Sequence, residues 1–285
     1  MAQRVGADSV GPLSFSGARF ALGSLLLLPV IWGLGRVRKM PRAKRRAATA
    51  AVILPGIAAG VMLTIGVNLQ QAAMIDVPAG NAAFITGLYM VFVPVIAAFR
   101  GHRSSVATIV GVAASLVGLY LISASDGLSI GRGEWLLIVS TLFWAFQILI
   151  IEKYSPKLAA LKFAATQFIT CAVLSSIGAL ILEPQPFGGL GEAAIPVLYG
   201  GFLSVGIAFT LQVIGQRHAL ASHAALIMAL ESVFGAIGGA LLLGENMGLR
   251  GYVGAALMVS GIVISQLGLV RASVTAPPDR EPVAT

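Results

Sequence analysis

Glu231 is the only acid that falls well inside a long apolar stretch of this sequence. A charge at the centre of a bilayer costs at least about 2.5–3.5 kcal/mol on insertion scales, so such a residue is a functional candidate by default. At helical spacing it shares a face with Ala224, Met228, Gly235 and Gly238. Small residues suit a face that packs on protein or lines a cavity better than one that meets lipid. Two readings stay open: Glu231 is a proton-coupling group or a site for a cation, or it is a protonated or paired group that ties helices together. Arg19 is the other charge within an apolar stretch. It is expected to snorkel toward the interface with its stem in hydrocarbon; the alternative is binding an anionic group or pairing with an acid in the cavity.

Polar side chains recur at helical spacing elsewhere. Thr64, Asn68 and Gln71 share a face, as do Ser140, Trp144 and Gln147, and Ser204, Ala208 and Gln212. Gln167 with Thr170, and Thr86 with Tyr89, make two more. In hydrocarbon such groups find no partner outside the protein, so these faces are expected to point inward. Converging, they would enclose a cavity with amide and hydroxyl groups and an aromatic wall. Any single pair is more often a link between helices.

The elements that position these residues follow from composition. Of 285 residues, 57% are hydrophobic and only 11% charged, against about 25% charged in soluble proteins. That excludes a soluble enzyme, a disordered chain and a nucleic-acid-binding domain. A span needs about 20 mostly apolar residues, and nine stretches qualify: roughly 15–35, 49–75, 80–99, 105–124, 133–152, 160–182, 193–215, 222–243 and 251–270. The fold class is therefore an all-α polytopic membrane bundle in a lipid bilayer. Cys171, the lone cysteine, excludes an internal disulfide and reads as a packing residue; the three histidines lack metal-site spacing. The first fourteen residues show no apolar core, so no cleavable signal peptide is expected.

The net charge of +8 is distributed by side. Fifteen of the 19 Lys and Arg fall on one side of the alternating spans, seven of them in the loop Arg36–Arg46. Only Arg4, Arg132 and Arg250 fall on the other, with most of the acids. Basic loops stay on the cytoplasmic side, so the C-terminus is expected there, in a plasma (inner) membrane. Residues 271–285, Pro-rich and polar, read as a disordered cytoplasmic tail.

The chain repeats itself. The stretch from Asn68 aligns with that from Thr210, bringing Gln70 onto Gln212, Asn81 onto His223 and Tyr89 onto Glu231. Further on, Gly111 meets Gly254 and Gly118 meets Gly261; upstream, LSFSGARF from Leu13 meets LKFAATQF from Leu161, so Arg19 meets Gln167. The first copy covers residues 1–124 with four spans and the second 133–270 with five. An odd number of helices per repeat inverts the second copy. The expected parent has ten helices, of which this chain lacks most of the first, through a late-assigned start or as a genuine nine-helix form.

The stretches AGNAAFITGLYMVFVPVIAAF (79–99) and SHAALIMALESVFGAIGGALLLGE (222–245), each followed by a Gly-rich helix, resemble the drug/metabolite transporter superfamily and its EamA-type ten-helix permeases. The resemblance implies two five-helix repeats, no cofactor, and secondary transport of small-molecule solutes, often outward. In many members a proline follows the acid at Glu231, whereas Ser232 stands here. The pathway candidates are thus Glu231, Gln212, Asn68, Gln71, Tyr89, Trp144, Gln147, Gln167 and Arg19. The alternatives are an intramembrane enzyme, or a structural or receptor-like protein whose polar faces only join helices. No HExxH pair or intramembrane Asp pair supports the enzyme, and no P-loop points to ATP.

Overall fold

The computed structural model describes residues 9–37, 42–77, 79–101, 104–123, 131–234, 237 and 248–275. They form helices α1 (Pro12–Val37), α2 (Arg42–Ala73), α3 (Ala79–Gly87), α4 (Tyr89–Phe99), α5 (Val106–Ser123), α6 (Arg132–Tyr154) and α7 (Ala160–Leu182). Next come α8 (Ala194–Tyr199), a π-helical stretch (Gly200–Phe209) and α9 (Thr210–Gly215), which together make one span. The last two are α10 (Ala221–Met228) and α11 (Gly248–Thr275). Among the described residues, seven segments are long and apolar enough to cross a bilayer, and Val106–Ile122 and Ala221–Phe234 are shorter apolar helices. Each of the nine expected spans therefore has a helical counterpart among the described residues, and residues 235–236 and 238–243 of the span expected at 222–243 lie outside them. The last helix runs past Arg271, where the tail was expected to begin, as far as Thr275; the rest of that tail lies outside the described residues.

The helical form is imposed by the solvent. Lipid offers backbone groups no hydrogen bonds, so each span must satisfy its own. The outer surface is correspondingly apolar: Leu54 is 77% exposed, Ile181 73% and Ile195 80%.

The two repeats meet along an approximate two-fold axis that the glycines mark. A Cβ on Gly111 would lie 2.5 Å from the carbonyl oxygen of Gly261, and one on Gly118 would lie 2.5 Å from that of Gly254. These two contacts exchange under the repeat alignment, so α5 and α11 cross antiparallel and symmetrically. Ser115 Oγ donates to the Met258 carbonyl at 3.4 Å at the centre of the crossing. Helices α1 and α7 also cross antiparallel. Gly17 abuts Ser176 and Gly178 abuts Leu13, and the repeat-equivalent rings Phe20 and Phe168 touch, with centroids 6.0 Å apart.

Equivalent spans also bend within one residue of equivalent places. The third span breaks at Leu88, between α3 and α4, where Val91 N donates to the Leu88 carbonyl at 2.9 Å. The α10 span turns at Ala229, where Ser232 N donates to the Ala229 carbonyl at 3.1 Å. The departure from proline at position 232 therefore does not remove the bend. Ser232 contributes an N–H that proline lacks, and the turn uses it.

Carboxylates tie the helix ends outside the hydrocarbon. Glu183, just past α7, accepts from Leu13 N at 2.8 Å, from Ser14 N, and from the Ser14 hydroxyl in a short contact. This fills the orphan donors and the positive dipole end of α1. On the opposite, basic side Glu152 accepts from Ala221 N at 2.8 Å, at the start of α10.

The symmetric glycine crossing leaves no room for a methyl group. Gly254→Ala would place its Cβ 2.6 Å from the Gly118 carbonyl oxygen, and overpacking of this kind costs about 1–3 kcal/mol. Gly215→Ala meets nothing within 4 Å. Thermal unfolding of the purified protein in detergent should show a midpoint several degrees lower for Gly254→Ala and unchanged or higher for Gly215→Ala.

Candidate functional site

Three of the inward polar faces converge in the middle of the bundle. Gln147 on α6 donates through Nε2 to Gln167 Oε1 on α7 at 3.2 Å. Gln212 on α9 donates to Gln147 Oε1 at 3.3 Å and to Gln216 Oε1 at 3.4 Å. Gln216 in turn donates to the Ile148 carbonyl at 3.4 Å. Four amides from three separate segments thus form one connected chain. Gln147, Gln167 and Gln216 are buried.

An aromatic cluster lies against this chain. Phe20 stacks on Phe209 with centroids 6.0 Å apart and planes 10° from parallel. Phe168 packs on Phe209 at 6.3 Å and Trp144 on Phe209 at 5.6 Å. Trp144 Nε1 donates to Gln70 Oε1 at 3.2 Å, which gives the indole the partner that burial requires. The sequence singled out Trp144 but not Phe20, Phe168 or Phe209. The signal was present: Phe20 and Phe168 occupy the last column of the LSFSGARF/LKFAATQF alignment. Gln216 was also missed, although it lies one helical turn beyond Gln212.

Arg19 differs from expectation. It does not snorkel: it is only 3% exposed. Its guanidinium carbon lies 5.4 Å from the Phe15 ring centroid and 5.2 Å from that of Phe20. The cause is topological. Arg19 is one residue from Phe20, which touches its own repeat-equivalent Phe168 near the axis, so the side chain starts too deep to reach the interface. Cation–π contact with two rings offsets part of the cost of holding it there. At the equivalent place the second repeat has the neutral Gln167.

The face of α2 divides. Gln71 is fully buried. Asn68 Nδ2 donates to Ser175 Oγ on α7 and to the Thr64 carbonyl, both at 2.8 Å. Asn68 and Thr64 also border a groove of about 360 Å³ with Pro12, Leu13, Ile65, Leu69 and Ala72. That groove opens at the edge of α1 and α2 rather than among the four amides.

Glu231 is set apart from the amide chain. Its side chain reaches the surface of the bundle. Tyr89, its repeat-equivalent, is 8% exposed and within electrostatic reach of it. Equivalent residues that lie close together must lie near the axis relating the copies, so Tyr89 and Glu231 sit near the junction of the repeats. Gly235 and Gly238, expected on the same helix face, lie outside the described residues, as does Gly239. His223 is buried, with Nε2 at 3.3 Å from Thr108 Oγ1, which joins α10 to α5. Among the described residues, no group of three His, Cys, Asp or Glu is placed to hold a metal.

Known proteins share this architecture. A solved crystal structure superposes with a TM-score of 0.74 over 94% of this chain and 91% of its own, at 18% identity, which shows a common fold. An uncharacterized transporter of Archaeoglobus fulgidus is 26% identical over 270 residues, covering 93% of this chain and 80% of its own. The uncharacterized transporter YoaV of Bacillus subtilis is 23% identical over 280 residues, covering 96% and 94% respectively. The EamA-like transporter family matches residues 1–124 and 131–267, one match for each repeat. With both copies matched and the inverted helical bundle in place, this chain is a multi-pass membrane protein that belongs to the EamA-like transporter family.

Proposed function

We propose that the chain is a secondary-active transporter that exports small metabolites or drugs by alternating access between its two inverted repeats. The observation that carries this reading is the connected amide chain with its aromatic neighbours. Gln147, Gln167, Gln212 and Gln216 come from three segments and meet against Phe209 and Trp144. Hydrogen-bonding groups on an apolar, aromatic floor make the mixed lining that small-molecule sites use. Transporter sites of inverted repeats lie near the bilayer midplane at the repeat junction, and the Phe20–Phe168 contact marks that junction here. The amides bond one another. Arg19 supplies a positive charge beside Phe20, and Gln71 is a buried amide on α2.

Glu231 is the coupling group in this reading. It is an acid within the Ala221–Phe234 helix, within electrostatic reach of its repeat-equivalent Tyr89, where a carboxyl can take up and release a proton as the repeats rearrange. In this reading the C-terminus lies in the cytoplasm of a cell bounded by its plasma membrane, a placement that the bias of basic loops supports. An enzyme is the weaker reading, since the family and the relatives' names are those of transporters.

The direct test is a comparison of metabolites released by cells with and without the protein, followed by flux of the released species in reconstituted vesicles. Absence of any difference in release and of any flux overturns the reading. Glu231→Gln should abolish accumulation driven by a proton gradient while leaving the amount of inserted protein unchanged; wild-type gradient-driven flux rejects the coupling role. Gln147→Leu removes the middle of the amide chain and strands the Gln167 and Gln212 partners. Flux should fall at least tenfold, the scale set by about 1.4 kcal/mol of lost interaction, with normal membrane insertion. Unchanged flux would show that the amides only join helices.

A further inference from the structure

Helices α2 and α7 run parallel and come closest at two glycines. A Cβ on Gly56 would lie 2.7 Å from Thr166, and one on Gly60 would lie 2.6 Å from Thr170. Approach this close depends on small residues. Ahead of the crossing, toward the basic side of the membrane, a groove of about 280 Å³ is lined by Arg46, Thr49, Ala50 and Ile53. Lys162, near the start of α7, reaches over to Thr49, donating from Nζ to Oγ1 at 2.8 Å. The apolar span of α2 begins at Arg46, so the charged end of the groove sits at headgroup depth. Ala50 and Ile53 lie deeper, where acyl chains begin, and Ile53 is 48% exposed.

We propose that this groove binds one anionic phospholipid of the leaflet on the basic side of the bundle. The groove matches such a lipid from end to end. The Arg46 guanidinium and the Lys162 ammonium face the phosphate, and an Arg fork can bind two phosphate oxygens at once. The Thr49 hydroxyl, which already accepts from Lys162, holds the two helices' charged groups over the same spot. The first acyl carbons lie along Ala50 and Ile53. A zwitterionic lipid has the same chains, but its own cation opposes the two basic groups. A soluble phosphate has the charge but leaves the apolar end of the groove bare. Because α2 and α7 belong to different repeats, the lipid would clamp them at the membrane surface as the glycine crossing does within.

Native mass spectrometry of the full chain in detergent tests this. The probes are palmitoyl-oleoyl phosphatidylglycerol, phosphatidylcholine with the same chains, and glycerol 3-phosphate. Wild type should retain phosphatidylglycerol in preference to phosphatidylcholine and should not be competed by glycerol 3-phosphate. Each basic group near a lipid surface contributes roughly a fivefold factor. Arg46→Gln with Lys162→Gln should therefore lower retention at least tenfold. The charge-matched control, Lys153→Gln with Lys157→Gln on the same side, should change it less than about twofold. Equal loss in both pairs would show only diffuse attraction and overturn the site, and so would competition by glycerol 3-phosphate. If the double variant unfolds, Thr49→Val preserves every charge and removes only the anchor for Lys162. Reduced retention supports the site, and wild-type retention overturns it.

Discussion

A polar group inside hydrocarbon has no partner except the protein itself, and most of this structure follows from that. It forces every span to be helical, and it turns the amide-bearing faces of α6, α7 and α9 toward one another. The helices cannot be drawn together by exclusion from water, because lipid is as apolar as their surfaces. Close packing and shared hydrogen bonds take that role. The glycine crossings at Gly111/Gly261 and Gly118/Gly254 supply the first, and the glutamine chain supplies the second. Charges remain at the ends of the helices, where Glu183 and Glu152 cap chain starts that lipid could not.

Duplication gives the bundle its plan. When two copies of one helix set are joined upside down, equivalent residues near the axis come face to face. Phe20 meets Phe168, Ser115 meets the backbone of Met258, and Tyr89 lies near Glu231. Positions that began alike could then diverge while still touching. Arg19 against Gln167, and Glu231 against Tyr89, are two such divergences, and each puts a charge on only one side of the symmetry. The site is built on a symmetric scaffold but is chemically lopsided.

Much of this was legible in the residues themselves. Apolar length gave the spans, because the bilayer sets one thickness for all of them. The alignment gave the inverted plan, since helix number per copy decides orientation. Side-chain periodicity picked out Gln147, Gln167 and Gln212 as inward. It did not show that they bond to one another, because that depends on where three helices cross. Arg19 was misplaced for the same reason. Its distance along the chain from the start of α1 suggested a shallow position, but depth is counted from the crossing with α7, which one-dimensional spacing does not reveal.

Followed from hydrogen to oxygen, the amide chain is directional. Gln212 gives to Gln147, Gln147 gives to Gln167, and the Gln167 nitrogen, fully buried, has no recipient among the described residues. An amide at the head of such a line cannot rotate alone, since turning it would set oxygen against oxygen at the next link. The line therefore behaves as one wired dipole with a loose terminal. An incoming oxygen beside Gln167 relieves the loose donor and leaves the polarity as it stands. An incoming N–H meets another N–H there, and the line cannot reverse as a whole to receive it, because Gln216 at its other end donates to the Ile148 carbonyl, which can only accept.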